Sequence, residues 1–216
     1  MRKYASLLAL LLCLGLLAGC GSQPAVDYPE LTAPDPSAYE LESAQNSSLK
    51  VSFPKGDWVA EPNTDPLTIY YAATLDEELS VNINVQKSGE NNAISEGYKD
   101  ALVEAITQDT PFLHVEKAEV MSLNGQPVIY FEDSIVIDDA AIDFMIESGV
   151  WTEDWVTEQG GREVFKNAIP ETDSLMLYAS TDGQMYTYIG SYYSPEQKDA
   201  VLEAILIMAQ TTGSPS

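Results

Sequence analysis

The sequence predicts an α+β protein in which an antiparallel β-sheet is sandwiched by helices, with a helical insertion between two strands. Several runs of β-branched and aromatic residues alternate with polar residues at a period of two, which is typical of strands with one packed and one wet face. Two dipeptides, Asn124-Gly125 and Asp182-Gly183, separate such runs and predict tight hairpins, because both residues of this turn adopt positive φ. Segments of helical period accompany the strands, as in a sheet covered by helices.

The strands of the first half are predicted at Leu49–Phe53, Leu67–Thr74 and Leu79–Gln86. The third run alternates most regularly, and acidic residues 76–78 before it are expected to form a hairpin turn. Its packed face consists of Val81, Ile83 and Val85.

The second half contains four predicted strands in two hairpins. Val115–Met121 pairs with Val128–Val136, and Leu175–Ser180 pairs with Met185–Tyr193. The connection within each hairpin is one of the two turn dipeptides, so both pairs are expected to be antiparallel neighbours.

Two longer helices are predicted, one in the middle of the chain and one at its end. The first spans residues 94–108, and Asn91 or Asn92 is expected to cap it. The last begins after Ser194, which opens a Ser-x-x-Gln capping box with Pro195 at the first helical position. Its buried stripe consists of Val201, Ala204, Ile205 and Met208.

Three structural motifs resemble the PsbP and Ran-binding-Mog superfamily. They are the opening run Leu49–Pro54 with Trp58, the turn Leu123–Gly125, and the segment Tyr186–Pro195 that enters the last helix. The resemblance extends over residues 49–208 and implies a sheet sandwiched by helices. It brings no catalytic residue with it.

The first nineteen residues predict a lipoprotein signal peptide. Arg2 and Lys3 precede an apolar run, Ala5–Leu17, that is shorter than the roughly 20 residues needed to span a bilayer. The run ends in Leu17-Ala18-Gly19-Cys20, which resembles a bacterial lipobox and implies lipidation at Cys20. The alternative is an ordinary secretory signal in which the cysteine occurs by chance.

The mature chain is expected to consist of a tether and one domain. Residues 20–46 contain recurring prolines and predict a flexible, partly extended tether, followed by the domain over residues 47–212. Cys13 lies in the signal and Cys20 is the predicted anchor, so the exported domain has no thiol for a disulfide. The expected location is the extracytoplasmic face of the cell membrane.

The charge balance restricts the partners. The chain has 34 acidic residues against 10 Lys and Arg, for a formal net charge of −24. Such a surface repels nucleic acid, which excludes nucleic-acid binding as a main function. The expected partners are the membrane, reached through a lipid on Cys20, and an envelope protein, a peptide, a cationic ligand or a weakly bound divalent cation.

Residues 138–172 form a long insertion between two strands, predicted to carry two short helices. Trp151 and Trp155 are spaced i, i+4 and are expected to lie on one helical face, within an aromatic patch. In one interpretation the insertion packs on the sheet and buries both rings. In the other it is a lid or binding rim where the tryptophans contact a ligand.

Three carboxylates at the start of the insertion have two interpretations. Asp138, Asp139 and Asp143 could offer oxygen ligands to a divalent cation. Alternatively, Asp138 caps a helix that begins at Asp139, and Asp143 lies on its wet side.

No catalytic constellation is visible in the sequence. His114 is the single histidine, and neither a nucleophile elbow nor a phosphate-binding loop is present. No cofactor is expected. The predicted function is a non-enzymatic binding or assembly module, and the alternative is a cell-surface hydrolase that uses carboxylates on glycans. A tyrosine row fits either a core edge or a carbohydrate platform: Tyr186, Tyr188 and Tyr192.

Overall fold

The computed structural model describes residues 27–61, 64–72, 81–90, 93–110, 112–168 and 171–215. The predicted signal peptide, Cys20, the turn at residues 76–78, and Asn91 and Asn92 lie outside these ranges. Within the described residues, no helix has the length and apolar character needed to cross a membrane.

The described strands are β1 Leu41–Gln45, β2 Lys50–Pro54, β3 Trp58–Ala60, β4 Leu67–Tyr71, β5 Asn82–Glu90, β6 Leu113–Leu123, β7 Gln126–Ile135, β8 Thr172–Thr181 and β9 Gln184–Tyr192. The described α-helices are α1 Glu96–Asp109, α2 Asp139–Glu147, α3 Glu153–Glu158, α4 Arg162–Ala168 and α5 Pro195–Thr211. Strands β1 and β2 form a separate hairpin, while the other strands form one sheet in the order β3-β4-β5-β9-β8-β7-β6. All strand pairs are antiparallel.

Each face of the sheet carries its own hydrophobic cluster. On one face, α5 buries Val201, Ile205 and Met208 against residues such as Ile83 and Tyr188. The opposite cluster contains Val120, Ile129, Phe131 and Met176, and side chains of α1 pack against it. The predicted α+β sandwich is therefore confirmed.

Gly190 on β9 allows α5 to pack closely on the sheet. A Cβ atom at this position would overlap Cγ1 of Val201 and would lie 3.1 Å from Cδ1 of Ile205. A side chain here would therefore push the helix away from the sheet.

Both predicted hairpin turns are confirmed. Asn124 and Gly125 have φ of 52° and 76°, and Asp182 and Gly183 have φ of 52° and 73°. These positive values match the right-handed twist of the strands that each turn joins.

The two long helices begin at capped positions. Ser194 caps α5 by accepting a hydrogen bond from Gln197 N, and Pro195 occupies the first turn, as predicted. Helix α1 differs from expectation, because Ser95 is its cap and accepts from Tyr98 N at 3.2 Å. A serine hydroxyl just before the first helical residue serves this purpose better than asparagines several residues upstream.

Residues 27–45, which were expected to belong to the tether, pack on the domain. Leu41–Gln45 is the strand β1, paired with β2. Further upstream, Leu31 and Ala33 pack against the α5-side cluster, and Tyr28 packs against the α1-side cluster. These apolar side chains stand between the prolines, and their burial offsets the entropy lost on ordering the segment.

Candidate functional site

The insertion between β7 and β8 folds around a small core of its own. Ile142, Val156 and Phe165 are buried there, with Ile137, Ile146 and Trp151 packed around them. This cluster is separate from the two clusters that cover the sheet. The insertion is therefore a compact helical unit attached to the end of two strands.

The local sequence explains where the insertion helices begin and end. Asp138 caps α2 by accepting a hydrogen bond from Ala141 N at 2.8 Å, and Gly149 ends that helix with φ of 76°. Thr152 caps α3 in the same way, with Trp155 N as donor at 3.1 Å. A third helix, α4, follows Gly160 and was not predicted.

The aromatic patch expected from the i, i+4 spacing is present and includes a third ring. The ring centroids of Trp151 and Trp155 lie 5.6 Å apart. Phe165 stands edge-on to both, at 5.0 Å from Trp151 and 5.3 Å from Trp155. These edge-to-face contacts are favourable for aromatic pairs and hold the two indoles in fixed positions.

The two tryptophans differ in exposure. Trp151 is half-buried in the insertion core, whereas Trp155 is 38% exposed. Val150 and Val164 are also exposed, at 61% and 55%. Among the described residues, three of the five exposed large hydrophobic side chains belong to the insertion. We call Val150, Trp155 and Val164 the insertion patch.

The three carboxylates considered as metal ligands have other partners. Asp138 is the α2 cap, Asp139 pairs with Lys166 at 3.1 Å, and Asp143 pairs with Arg162 at 2.7 Å. No group of three or more metal-ligating side chains occurs in the part of the chain that the structure describes. The capping role of Asp138 is confirmed, while cation binding stays a prediction.

Both basic residues of the insertion are shared between carboxylates. Arg162 also pairs with Glu153, and Lys166 also pairs with Glu163 at 2.7 Å. Hydrogen bonds to Glu163 and Asp139 raise the pKa of Lys166, and bonds to Glu153 and Asp143 raise that of Arg162. The two cations are thus neutralised locally.

The insertion has excess negative charge beyond these pairs. Residues 138–172 contain nine acidic and two basic residues. Glu147, Asp154 and Glu158 are exposed and have no ion pair within the described ranges. The insertion that carries the insertion patch therefore also exposes carboxylates that are not paired with a basic side chain.

The tyrosine row belongs to the core and does not form an exposed platform. Tyr186, Tyr188 and Tyr192 are 2%, 0% and 7% exposed. Burial raises the pKa of Tyr188, and that of Tyr192 to about 12. Both hydroxyls therefore stay protonated at neutral pH.

A buried carboxylate, Asp133, lies on β7. It is 2% exposed, accepts a hydrogen bond from Ser174 Oγ, and has no partner for Oδ2 among the described residues. Burial raises its pKa to about 6. The alternation of side chains along β7 could have predicted this burial, because Asp133 lies on the same face as Ile129 and Phe131.

A second polar group links β7 to α5, and sequence reasoning did not find it. Glu132 accepts a hydrogen bond from Lys198 Nζ at 2.7 Å and another from Tyr130 Oη at 2.9 Å. Burial acts to raise the pKa of Glu132, but these two hydrogen bonds outweigh it, and the pKa is lowered. Lys198 is distant from Glu132 in sequence, so only the fold brings these two side chains together.

Solved structures similar to this chain have low sequence identity. LpqN of Mycobacterium tuberculosis, involved in cell envelope biogenesis, is 10% identical with a TM-score of 0.44, over 83% of this chain and 94% of LpqN. Cyanobacterial PsbP (CyanoP) from Synechocystis sp. PCC 6803 is 11% identical with a TM-score of 0.45, over 93% and 100% of the two chains. A protein from Bacteroides thetaiotaomicron VPI-5482 is 9% identical with a TM-score of 0.36, over 78% of this chain and 45% of that protein.

No family model and no curated protein sequence matches this chain. The α+β class itself follows from the strand order and helix positions of this chain.

Proposed function

We propose that this protein is a membrane-anchored, extracytoplasmic lipoprotein that acts as a non-enzymatic binding or assembly module. The insertion patch is its contact surface. One observation carries the proposal: the insertion folds on its own core and turns Val150, Trp155 and Val164 outward, where they cover neither face of the sheet. Exposed aromatic and aliphatic side chains on a rigid support are typical of protein-binding surfaces.

The partner that fits this surface is a basic segment of an envelope protein or peptide. Lys and Arg side chains would meet the exposed carboxylates Glu147, Asp154 and Glu158, and an Arg could stack on Trp155. A divalent cation at Asp139 and Asp143 would first have to displace Lys166 and Arg162. We therefore propose the basic segment ahead of the cation.

The membrane anchor is tested by lipid labelling. Cells that express the full chain with labelled palmitate should incorporate the label, and globomycin should block maturation. Cys20→Ala should remove the label, because no other lipid site is expected. A secreted wild-type chain without label would contradict the anchor.

The contact surface is tested by site-specific photo-crosslinking in cells. A photoreactive residue at Val164 should give a discrete crosslinked product, while one at Val59, equally exposed on the far edge strand, should not. Trp155→Ala should abolish the Val164 product and leave the fold intact. Equal products from both positions, or a Val164 product that survives Trp155→Ala, would count against the patch.

A further inference from the structure

The N-terminal segment is fastened to the outer edge of the main sheet. Leu31 N donates to Ser122 O, and Ser122 N donates to Pro29 O, each at 2.8 Å. Glu30 Oε1 accepts from Asn124 N at 2.7 Å. We call residues 28–31 the β6 clip, since they run parallel to β6 on the side opposite β7.

Asp27, the first described residue, lies at the middle of this edge. Asp27, Tyr28 and Pro29 border a groove of about 360 Å³ together with residues 118–120 of β6 and the first turn of α1. Tyr28 packs on the α1 side and Leu31 on the α5 side, so the β6 clip contacts both faces of the sheet at this edge. The position of Asp27 is thereby fixed relative to the sheet.

The stretch of sequence between Cys20 and Asp27 is short compared with the width of the sheet. Seven residue steps connect Cys20 to Asp27, which spans at most about 25 Å even when fully extended. Strand β3 lies six strands away from β6, a distance of about 29 Å at the usual strand spacing. An anchor at Cys20 therefore reaches the β6 edge much more easily than the β3 edge.

We infer that the β6 edge of the sheet faces the membrane and that the β3 edge faces away from it. This orientation rests on the lipid anchor of the proposed function. The insertion joins β7 to β8, and its Phe144 contacts Phe112, just before β6, with ring centroids 6.2 Å apart. The insertion patch thus belongs to the membrane-proximal half of the molecule.

The orientation is tested by energy transfer from the lipidated protein on vesicles to an acceptor dye on the lipid headgroups. An introduced cysteine is the single free thiol of the mature chain, so His114→Cys on β6, Glu158→Cys in the insertion and Val59→Cys on β3 can each be labelled. Transfer should be several-fold stronger from His114→Cys than from Val59→Cys, with Glu158→Cys closer to the former. Equal transfer, or stronger transfer from Val59→Cys, would overturn the orientation.

A matched pair of substitutions tests the clip itself. Ser122→Pro removes the N–H that bonds Pro29 O, and because this N–H points away from β7, the β6–β7 pairing loses no hydrogen bond. It should reduce the difference between the β6 and β3 labels, whereas Ser122→Ala should preserve the difference. A full difference in Ser122→Pro would show that the clip does not orient the domain.

Flotation of the protein with the vesicles distinguishes a failure of the lipid anchor from a failure of the orientation. A protein that does not float lacks the lipid anchor, which overturns the proposed function and the orientation together. A protein that floats but shows equal transfer from both edges retains the anchor and overturns the orientation alone.

Discussion

Asp133 shows how one buried side chain makes stability depend on pH. Its ordinary pKa of 3.8 is raised to about 6, chiefly because burial disfavours the charged form. The fold therefore favours the neutral acid. The stability that this group contributes is fully present below pH 3.8 and is lost as the pH rises through about 6.

Asp133→Asn should stabilise the protein at pH 7.5 by about 2–3 kcal/mol, because the amide keeps the Ser174 hydrogen bond without a buried charge. Below pH 4 the gain should vanish. Urea unfolding across pH 3.5 to 8 measures this difference. Asp143→Asn serves as the control on an exposed ion pair and should change stability by less than about 1 kcal/mol.

Replacement by alanine is expected to have opposite effects on stability at Gly190 and at Gly97. Gly190→Ala should destabilise the protein by about 1–3 kcal/mol, since its Cβ would overlap Val201 and displace α5. Gly97→Ala lies in an exposed part of α1 with nothing within 4 Å, and should stabilise by up to about 1 kcal/mol. Thermal unfolding of the two variants compares them, and destabilisation of similar size in both would contradict the close approach at β9.

At the scale of elements, the insertion is expected to unfold separately from the sheet. Phe165 contacts both tryptophans and fills the insertion core. Phe165→Ala should therefore cost about 3 kcal/mol within this unit. Amide hydrogen exchange should become faster in α2, α3 and α4 and stay unchanged in β7, β8 and β9.

Trp155→Ala is the matched control, because this ring is partly exposed. It should leave the protection of the insertion largely intact. If Phe165→Ala instead unfolds the whole domain in one step, the insertion core is coupled to the sheet more tightly than its separate cluster indicates.

The elements differ in how well local sequence predicts them. The hairpins at Asn124 and Asp182 were predictable, because their turns require positive φ, which few residue types adopt readily. Helix α4 was missed because Gly160 and Gly161 mark a break, and a local pattern does not show that another helix follows. The ordering of residues 27–45 was missed because it depends on β2 and β6, which are distant contacts.

The candidate site was only partly predictable, because local spacing does not determine contacts between distant residues. The spacing of Trp151 and Trp155 indicated their contact, and the structure confirms it. Phe165 joins them only after the chain has turned at Gly160. The pairing of Asp143 with Arg162 likewise depends on how α2 and α4 approach each other, which no pattern within either helix determines.

For the molecule as a whole, negative charge governs association. The isoelectric point of the sequence is about 4.1, so repulsion between molecules is strong at neutral pH and disappears near pH 4. The Cys20→Ala protein should stay monomeric at pH 7 and self-associate near pH 4 through its exposed apolar side chains. Light scattering across this pH range measures the effect, and Trp155→Ala should weaken it.

The parallel course of the β6 clip has a mechanical consequence. A force applied at Asp27 along the strand axis stretches both Ser122 hydrogen bonds together, whereas a sideways force would break the Pro29 bond first, before the bonds of Glu30 to Asn124 and of Leu31 to Ser122. The next attachment is the Pro34 carbonyl, held by Gln210 on α5 at 3.1 Å. Release of residues 27–33 would lengthen the tether by up to about 25 Å. Under sideways tension residues 27–33 would therefore detach in steps while the sheet remains intact.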